Sequence, residues 1–272
     1  MRKITIITGA SSGIGAEFAR QLSKKYNDEK INGREIWLIA RSEENLNKIK
    51  EELETLDTNK VFSVKTCPLD LSGEEGCRKY HDLLLREKAA GDLNIEMLIN
   101  NAGFGTYGPF EQTPVEKETA MVELNCTSLT GVTGWSIEHL SAESTIINTA
   151  SLAAFMPLGN FAVYGATKAY VLSFSVALAA ELKPKGIKVC ALCPGSVSTN
   201  FANIASNGAR KEVLHGKDPV KVVKHCLKKA ARGKTIILWS PKWKLTAFMS
   251  RFVSRYLVAW GTFKFNKRPY NH

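Results

Sequence analysis

Thr8-Gly9-Ala10-Ser11-Ser12-Gly13-Ile14-Gly15 follows directly on the β-branched run Ile4-Thr5-Ile6-Ile7 and leads into a stretch with Ile14, Phe18 and Leu22 at helical spacing. Strand, glycine turn and helix therefore come in immediate succession. Outward from this stretch the alternation repeats. Further strands are expected over 35–40, 61–68, 97–100, 145–148, 188–192 and 235–238, and helices over 42–56, 74–88, 114–139 and 162–182. Alternation at this spacing implies right-handed crossovers and an α/β fold: a doubly wound, mainly seven-stranded parallel sheet with helices on both faces. No internal repeat, low-complexity tract or linker interrupts it.

The chain has 272 residues, 44% hydrophobic and 23% charged, the balance of a globular protein able to bury a full core. Its net charge of +11 is unevenly placed. No acidic residue follows Asp218, and the last 54 residues carry 13 Lys and Arg, leaving 24 basic against 26 acidic residues before them. Basicity confined to one end argues against a nucleic-acid binder coated in positive charge. The start reaches Gly9 too soon for a signal-peptide apolar stretch, and no transmembrane helix is expected, since no 18-residue apolar run occurs. Six scattered cysteines then suggest reduced thiols and a cytoplasmic setting. Cys190 and Cys193 form a C-x-x-C within a strand, where residues three apart face opposite sides, so no metal or redox pair is expected. His81, His139, His215, His225 and His272 show no ligand spacing, and no metal site is expected.

The glycines after the first strand let the backbone turn tightly and approach a pyrophosphate, whose charge is favoured by the N–H groups and dipole of the helix start. In this context G-x-x-x-G-x-G reads as a dinucleotide loop. The second strand ends in Ile39-Ala40-Arg41-Ser42. An acidic residue there would accept from a ribose 2′-OH; instead Arg41 offers a planar fork suited to a 2′-phosphate, with Ser42 as a further donor. NADP(H) is the expected cofactor, with NAD(H) the alternative.

Later come Asn125, Ser151 and Tyr164-Gly-Ala-Thr-Lys168. Tyr and Lys at i and i+4 share one helix face, and an ammonium near the phenol favours the phenolate. Ser151 falls just past the fifth strand, at the sheet edge where ligands bind in open α/β folds. Carbonyl reduction by hydride needs an acid/base and a donor to the carbonyl oxygen, and these residues supply both.

Taken in order, Thr8–Gly15, Asp70-Leu71, Asn100-Asn-Ala-Gly103, Asn125, Ser151, Tyr164-x-x-x-Lys168 and Pro194-Gly195 with Thr199 resemble the short-chain dehydrogenases/reductases, over about residues 3–240. The resemblance implies a Rossmann-like fold. It implies that Tyr164 is the acid/base, that Lys168 lowers its pKa and binds the nicotinamide ribose, that Ser151 holds the substrate oxygen, and that Asn125 anchors a relay water. It further implies cofactor contacts from Gly9, Ser11, Ser12, Gly13, Ile14, Gly15, Arg41 and Ser42 around the phosphates. Asp70 and Leu71 would lie near the adenine, Asn101, Ala102 and Gly103 on the adenosine side, and Pro194, Gly195, Val197 and Thr199 along the nicotinamide. Ser11-Ser12 stand where some NADP-preferring members carry a basic residue, so the NADP(H) expectation rests on Arg41. The helix over 162–182, apolar on nearly all sides, would pair with the one over 114–139 in a homodimer or homotetramer. The segment between Ser196 and Lys217 looks like the family's substrate lid.

These readings describe one dinucleotide-binding and catalytic domain over 1–240 and a basic amphipathic extension over 241–272. The reaction expected is interconversion of a secondary alcohol and a ketone on a small-molecule substrate, lipophilic and of the hydroxysteroid, bile-acid-like or long-chain 3-oxoacyl kind. A non-catalytic dinucleotide-binding sensor or scaffold is the alternative. Within the extension, 242–260 reads as one amphipathic helix with Leu245, Phe248, Met249, Phe252, Tyr256, Leu257 and Trp260 in a stripe. Four tasks fit it: packing over the substrate opening or a subunit interface, peripheral contact with an anionic membrane, steering an anionic substrate, or, with least support, nucleic-acid binding.

Overall fold

A computed structural model describes residues 2–211, 213 and 215–271. Seven parallel strands form one sheet in the order β3-β2-β1-β4-β5-β6-β7. They are β1 Arg2–Thr8, β2 Arg34–Ala40, β3 Phe62–Pro68, β4 Leu93–Asn100, β5 Thr145–Thr149, β6 Lys188–Leu192 and β7 Ile236–Ile237. The order reverses between β1 and β4, the switch point at which ligands of doubly wound sheets bind. Ile4, Ile6, Ile7, Ile36 to Ile39, Ile146 and Ile147 are fully buried, as strands covered on both faces require.

The helices are α1 Gly13–Asp28, α2 Glu43–Leu56, α3 Gly73–Ala89, α4 Val115–Val122, α5 Leu129–Ser136, α6 Ala162–Leu182, α7 Phe201–Ala205, α8 Pro219–Ala230, α9 Pro241–Met249 and α10 Arg255–Phe265. One core lies under α1, α2 and α8; the other lies under α3 and the C-terminal half of α6. Cys190 belongs to the first and Cys193 to a separate cluster under α6, so the C-x-x-C does face two ways.

Three expectations change. The helix over 114–139 is interrupted by a π-helical segment, Glu123–Ser128, joining α4 to α5. Helix α8 was not anticipated, although Asp218 caps it through Oδ1 accepting from Val220 N (2.8 Å), Pro219 opens it, and Val222, Val223, Cys226 and Ala230 bury one stripe. The single helix over 242–260 is two, broken at 250–254, and the apolar stripe is open to solvent: only Trp243 and Ala247 of these helices are buried.

Helix α6 is long and apolar enough, by length and composition, to cross a bilayer, which the criterion of an unbroken apolar run missed. It lies on the sheet instead, burying Tyr164, Lys168, Val171, Ser175 and Leu178. Asn148 and Ser175 join this face to the sheet by a buried hydrogen bond of 2.9 Å, with Asn100 donating to Asn148 at 2.8 Å. Such paired polar groups fix the register of helix on sheet.

Candidate active site

All the expected site residues gather along the C-terminal edge of the sheet. Gly9 turns the chain with φ +64°, and a Cβ on Gly15 would overlap the Gly9 carbonyl oxygen, so loop and helix can close up only if position 15 is bare. Thr8 ties this loop to the next strand: its Oγ1 accepts from Asn101 N (2.9 Å) and Ala102 N (3.0 Å). The Asn101 amide donates to the Thr8 and Gly9 carbonyls at 3.3 Å. At the helix start, Ser12 leaves α1 without a side-chain cap, and its first turn holds no acidic residue, whereas α2 and α3 begin with glutamates. A glycine-lined cradle at an uncapped, acid-free helix start fits a dinucleotide pyrophosphate. Ser11, Ser12, Gly13 and Ile14 line it, and Thr199 approaches the opposite wall with its methyl 3.5 Å from where a Gly13 Cβ would stand.

Past β2, Arg41 is exposed, and Ser42 caps α2 by accepting from Asn45 N at 3.3 Å, which leaves its hydroxyl hydrogen to donate. Asp70 accepts from Ser72 N at 3.0 Å. Burial alone would raise its carboxyl; Ser72 and the nearby Arg41 cation hold it below its usual range. The structure corrects two of the expected contacts. The Leu71 side chain is buried in the core, with its carbonyl taken by the Ser128 hydroxyl, and Val197 is buried in the opposite core, so neither presents a side chain to the crevice. Pro194 is buried too, its carbonyl accepting from Leu152 N (2.8 Å) and from Ser151 Oγ (3.3 Å), and Gly195 lies flat against the Trp243 indole.

Ser151, Tyr164, Lys168 and Asn125 converge between β5 and α6. Tyr164 is buried, and burial pushes its phenol up, with the facing Ser151 hydroxyl and more distant Arg268 opposing and Tyr107 adding to the rise. Lys168 sits 5.7 Å from the Tyr164 ring and donates to the Thr149 carbonyl at 2.8 Å. Burial pulls its ammonium down to about 8, opposed by the Cys126 and Cys193 thiols. Burial thus outweighs the groups that favour the Tyr164 phenolate, which differs from the expectation that Tyr164 titrates closer to neutral. Asn125 is held in the π-helical turn, where such turns often carry functional side chains. Its Oδ1 accepts from Phe104 N (3.1 Å), and its Nδ2 donates to Phe104 O (2.9 Å) and Thr167 Oγ1 (3.0 Å). Both amide hydrogens are spent on the protein, so this side chain positions the backbone after Gly103.

Sequence reasoning missed the walls. Phe161 stacks on Tyr164 with centroids 4.1 Å apart, Tyr107 meets Phe161 edge-on at 4.9 Å, and Phe201 of α7 lies 5.4 Å from Tyr164. Phe201 belongs to the segment read as a lid, of which residues 212 and 214 lie outside the described part. From the far end of the chain, the Arg268 guanidinium stands 4.9 Å over the Phe161 ring and donates to the Gly159 carbonyl at 3.0 Å. Nothing periodic in the sequence marks these contacts. Among the described residues, no group of three His, Cys, Asp or Glu is placed to hold a metal. His272 lies outside the described residues.

Fold and site together define an α/β protein of the dinucleotide-dependent oxidoreductase class. The family model for short chain dehydrogenase matches residues 3–209, and the chain belongs to that family. It is 31% identical over 265 residues to the 11-beta-hydroxysteroid dehydrogenase-like 3 of Arabidopsis thaliana, covering 96% of this chain and 80% of that one. It is 28% identical over 259 residues to the very-long-chain 3-oxoacyl-CoA reductase of Phaeosphaeria nodorum, covering 93% and 71%. Among solved structures, it superposes on a short-chain dehydrogenase from Sphingobium yanoikuyae in complex with NADPH with a TM-score of 0.75 and 27% identity, over 93% of this chain and 94% of that one.

Proposed function

We propose that this chain is an NADP(H)-dependent oxidoreductase that interconverts a secondary alcohol and a ketone on a lipophilic substrate. The observation that carries the reading is Ser151 facing Tyr164 beneath an aromatic wall, with Lys168 buried beside them at the mouth of a glycine-lined crevice. A nicotinamide held there supplies or accepts the hydride. Gly9, Ser11 to Gly15, Asn101 to Gly103 and Thr199 would cradle it, and Arg41 with Ser42 would meet the 2′-phosphate. Pro194 and Gly195 would support the nicotinamide end.

In the direction of reduction, Ser151 Oγ turns its one hydrogen from the Pro194 carbonyl to the substrate carbonyl oxygen, and Tyr164 Oη gives that oxygen its proton as negative charge develops. Lys168, held on Thr149, keeps a positive charge near the phenolate that Tyr164 becomes. Asn125 keeps the Gly103–Phe104 backbone in place. In oxidation the same groups run in reverse.

Tyr107, Phe161 and Phe201 give the substrate side an aromatic lining suited to a steroid-like or acyl surface, and Arg268 adds a cation suited to an acidic substrate end. The names of the hydroxysteroid dehydrogenase-like and 3-oxoacyl-CoA reductase relatives support the same substrate classes. NADP(H) is favoured by Arg41 at the β2 turn and by the NADPH complex of the Sphingobium relative. A homo-oligomer through α4, α5 and α6 is supported by the exposed Val122, Trp135, Tyr170 and Val176. The test is consumption of NADPH against NADH, followed by absorbance, over a panel of bile-acid-like ketones, 3-oxoacyl thioesters and small neutral ketones. Turnover only with small neutral ketones, or a preference for NADH, would overturn the corresponding part.

A further inference from the structure

We infer that α9, α10 and the turn between them dock this protein on an anionic lipid surface. Ten large apolar side chains lie exposed between Leu245 and Phe265, including Phe252 at 70%, Tyr256 at 75% and Phe265 at 74% exposure. Of the four tasks the sequence leaves open for this stripe, cover from the rest of the same chain is not what the structure shows: the helices are seated on the body through their other side. Trp243 and Ala247 are buried beneath α9. Thr262 Oγ1 accepts from Gly159 N (2.8 Å), and the Asn160 amide donates to the carbonyls of Thr262, Phe263 and Asn266 at 3.0–3.4 Å. Anchored on one side and apolar on the other, the segment presents its open face as a fixed surface.

Along α9, Leu245, Phe248 and Met249 fall at i, i+3 and i+4, the spacing of one face, and Phe252 follows them exposed in the turn. Cations are interleaved with the aromatics. Lys264 Nζ lies 4.9 Å from the Trp260 ring and Lys267 Nζ 5.2 Å from the Phe263 ring, while Lys242, Lys244, Arg251 and Arg255 complete the rim. Aromatic rings with snorkelling cations at their edges are what an interfacial segment presents to headgroups.

Charge decides between lipid and a second copy of the chain. No carboxylate side chain follows Asp218, so two copies meeting symmetrically through this face would set cation against cation. An anionic bilayer neutralises the rim and receives the rings. The same segment walls a cavity of about 360 Å³ between Ala154–Pro157 and the stretch from Ser250 to Val258, just beyond Ser151. Docking would therefore bring a membrane-dissolved substrate beside the candidate site. That last consequence rests on the proposed reaction; the docking itself does not.

Co-sedimentation of the full chain with vesicles tests it. Phosphatidylcholine vesicles containing about one-third phosphatidylglycerol should bind it at least tenfold more strongly than pure phosphatidylcholine, and high salt should release it. Each neutralised rim cation should lower partitioning about fivefold, so exchanging Lys242, Lys244, Arg251 and Arg255 for Gln together should lower it several hundred-fold. Phe252→Ser with Tyr256→Ser and Leu257→Ser should weaken it at least tenfold while leaving NADPH binding in solution unchanged. Unaltered binding by both variants, or no binding to anionic vesicles, overturns the inference. So does a lipid-free oligomer that dissociates when the three apolar residues are changed, since a second copy would then be the occupant. Vesicle binding without ketone turnover would count against the proposed reaction alone.

Discussion

Replacing Lys168 with Met should change how the stability of the cofactor-free protein depends on pH. Burial lowers the ammonium from its ordinary 10.5 to about 8, so the folded chain gives up this proton more readily than the unfolded chain does. Between those values the unfolded state binds more protons, and stability must rise with pH. At pH 7 nearly the whole shift, at about 1.4 kcal/mol per unit, weighs against folding, on the order of 3 kcal/mol. At pH 10 most of that penalty is gone. The wild type should therefore gain about 2 kcal/mol relative to Lys168→Met between pH 7 and pH 10. Groups away from Lys168 act alike on both proteins and cancel in the difference, whereas the Cys126 and Cys193 thiols, which feel its charge, are removed from the comparison by making both proteins in a Cys126→Ala, Cys193→Ala background. The lost hydrogen bond to Thr149 shifts the variant's stability at all pH values without changing the slope. Urea unfolding followed by tryptophan fluorescence at four pH values measures it. Parallel curves would refute the reasoning and mean that Lys168 keeps its proton as an exposed lysine does.

Tyr164→Phe should lose 10²-fold or more in turnover while still binding NADPH, as removal of a general acid does; retained activity would show that another group moves the proton. Arg41→Glu should exchange the preference between NADPH and NADH, read as the ratio of their kcat/KM values, because a carboxylate repels a 2′-phosphate and accepts from a ribose hydroxyl. Gly15→Ala forces a Cβ into the Gly9 carbonyl. It should cost about 1–3 kcal/mol by overpacking and weaken cofactor binding, measured by thermal unfolding with and without NADPH.

The central strands β1, β2, β5 and β6 were legible because strands buried on both faces must be apolar along most of their length, and the expected 188–192 matches β6 residue for residue. The glycine loop was legible because a close approach of backbones admits no side chain. Helix α8 carries its own sequence signal, the cap and opening proline Asp218-Pro219 ahead of a four-residue buried stripe. In the tail, period and charge both mark an amphipathic segment. Leu245 to Trp260 do keep helical spacing, but spacing says which residues share a face and says nothing of whether anything covers that face. For Leu71 and Val197 the motif located the backbone correctly, while packing turned their side chains inward.

By itself the sequence determined the alternation of strands and helices through β6, the glycine turn after β1, and the residue types able to move a proton beside a nicotinamide. Each of these rests on interactions within a few residues or on the fixed geometry of parallel crossovers. The tertiary structure alone decided what surrounds them. It set Phe161 on Tyr164, buried Lys168 until its charge became costly, committed Asn125 to the loop backbone, and carried Arg268 across the chain to the Phe161 ring. These contacts join residues far apart in sequence, and desolvation depends on every atom nearby, so no local pattern could have announced them.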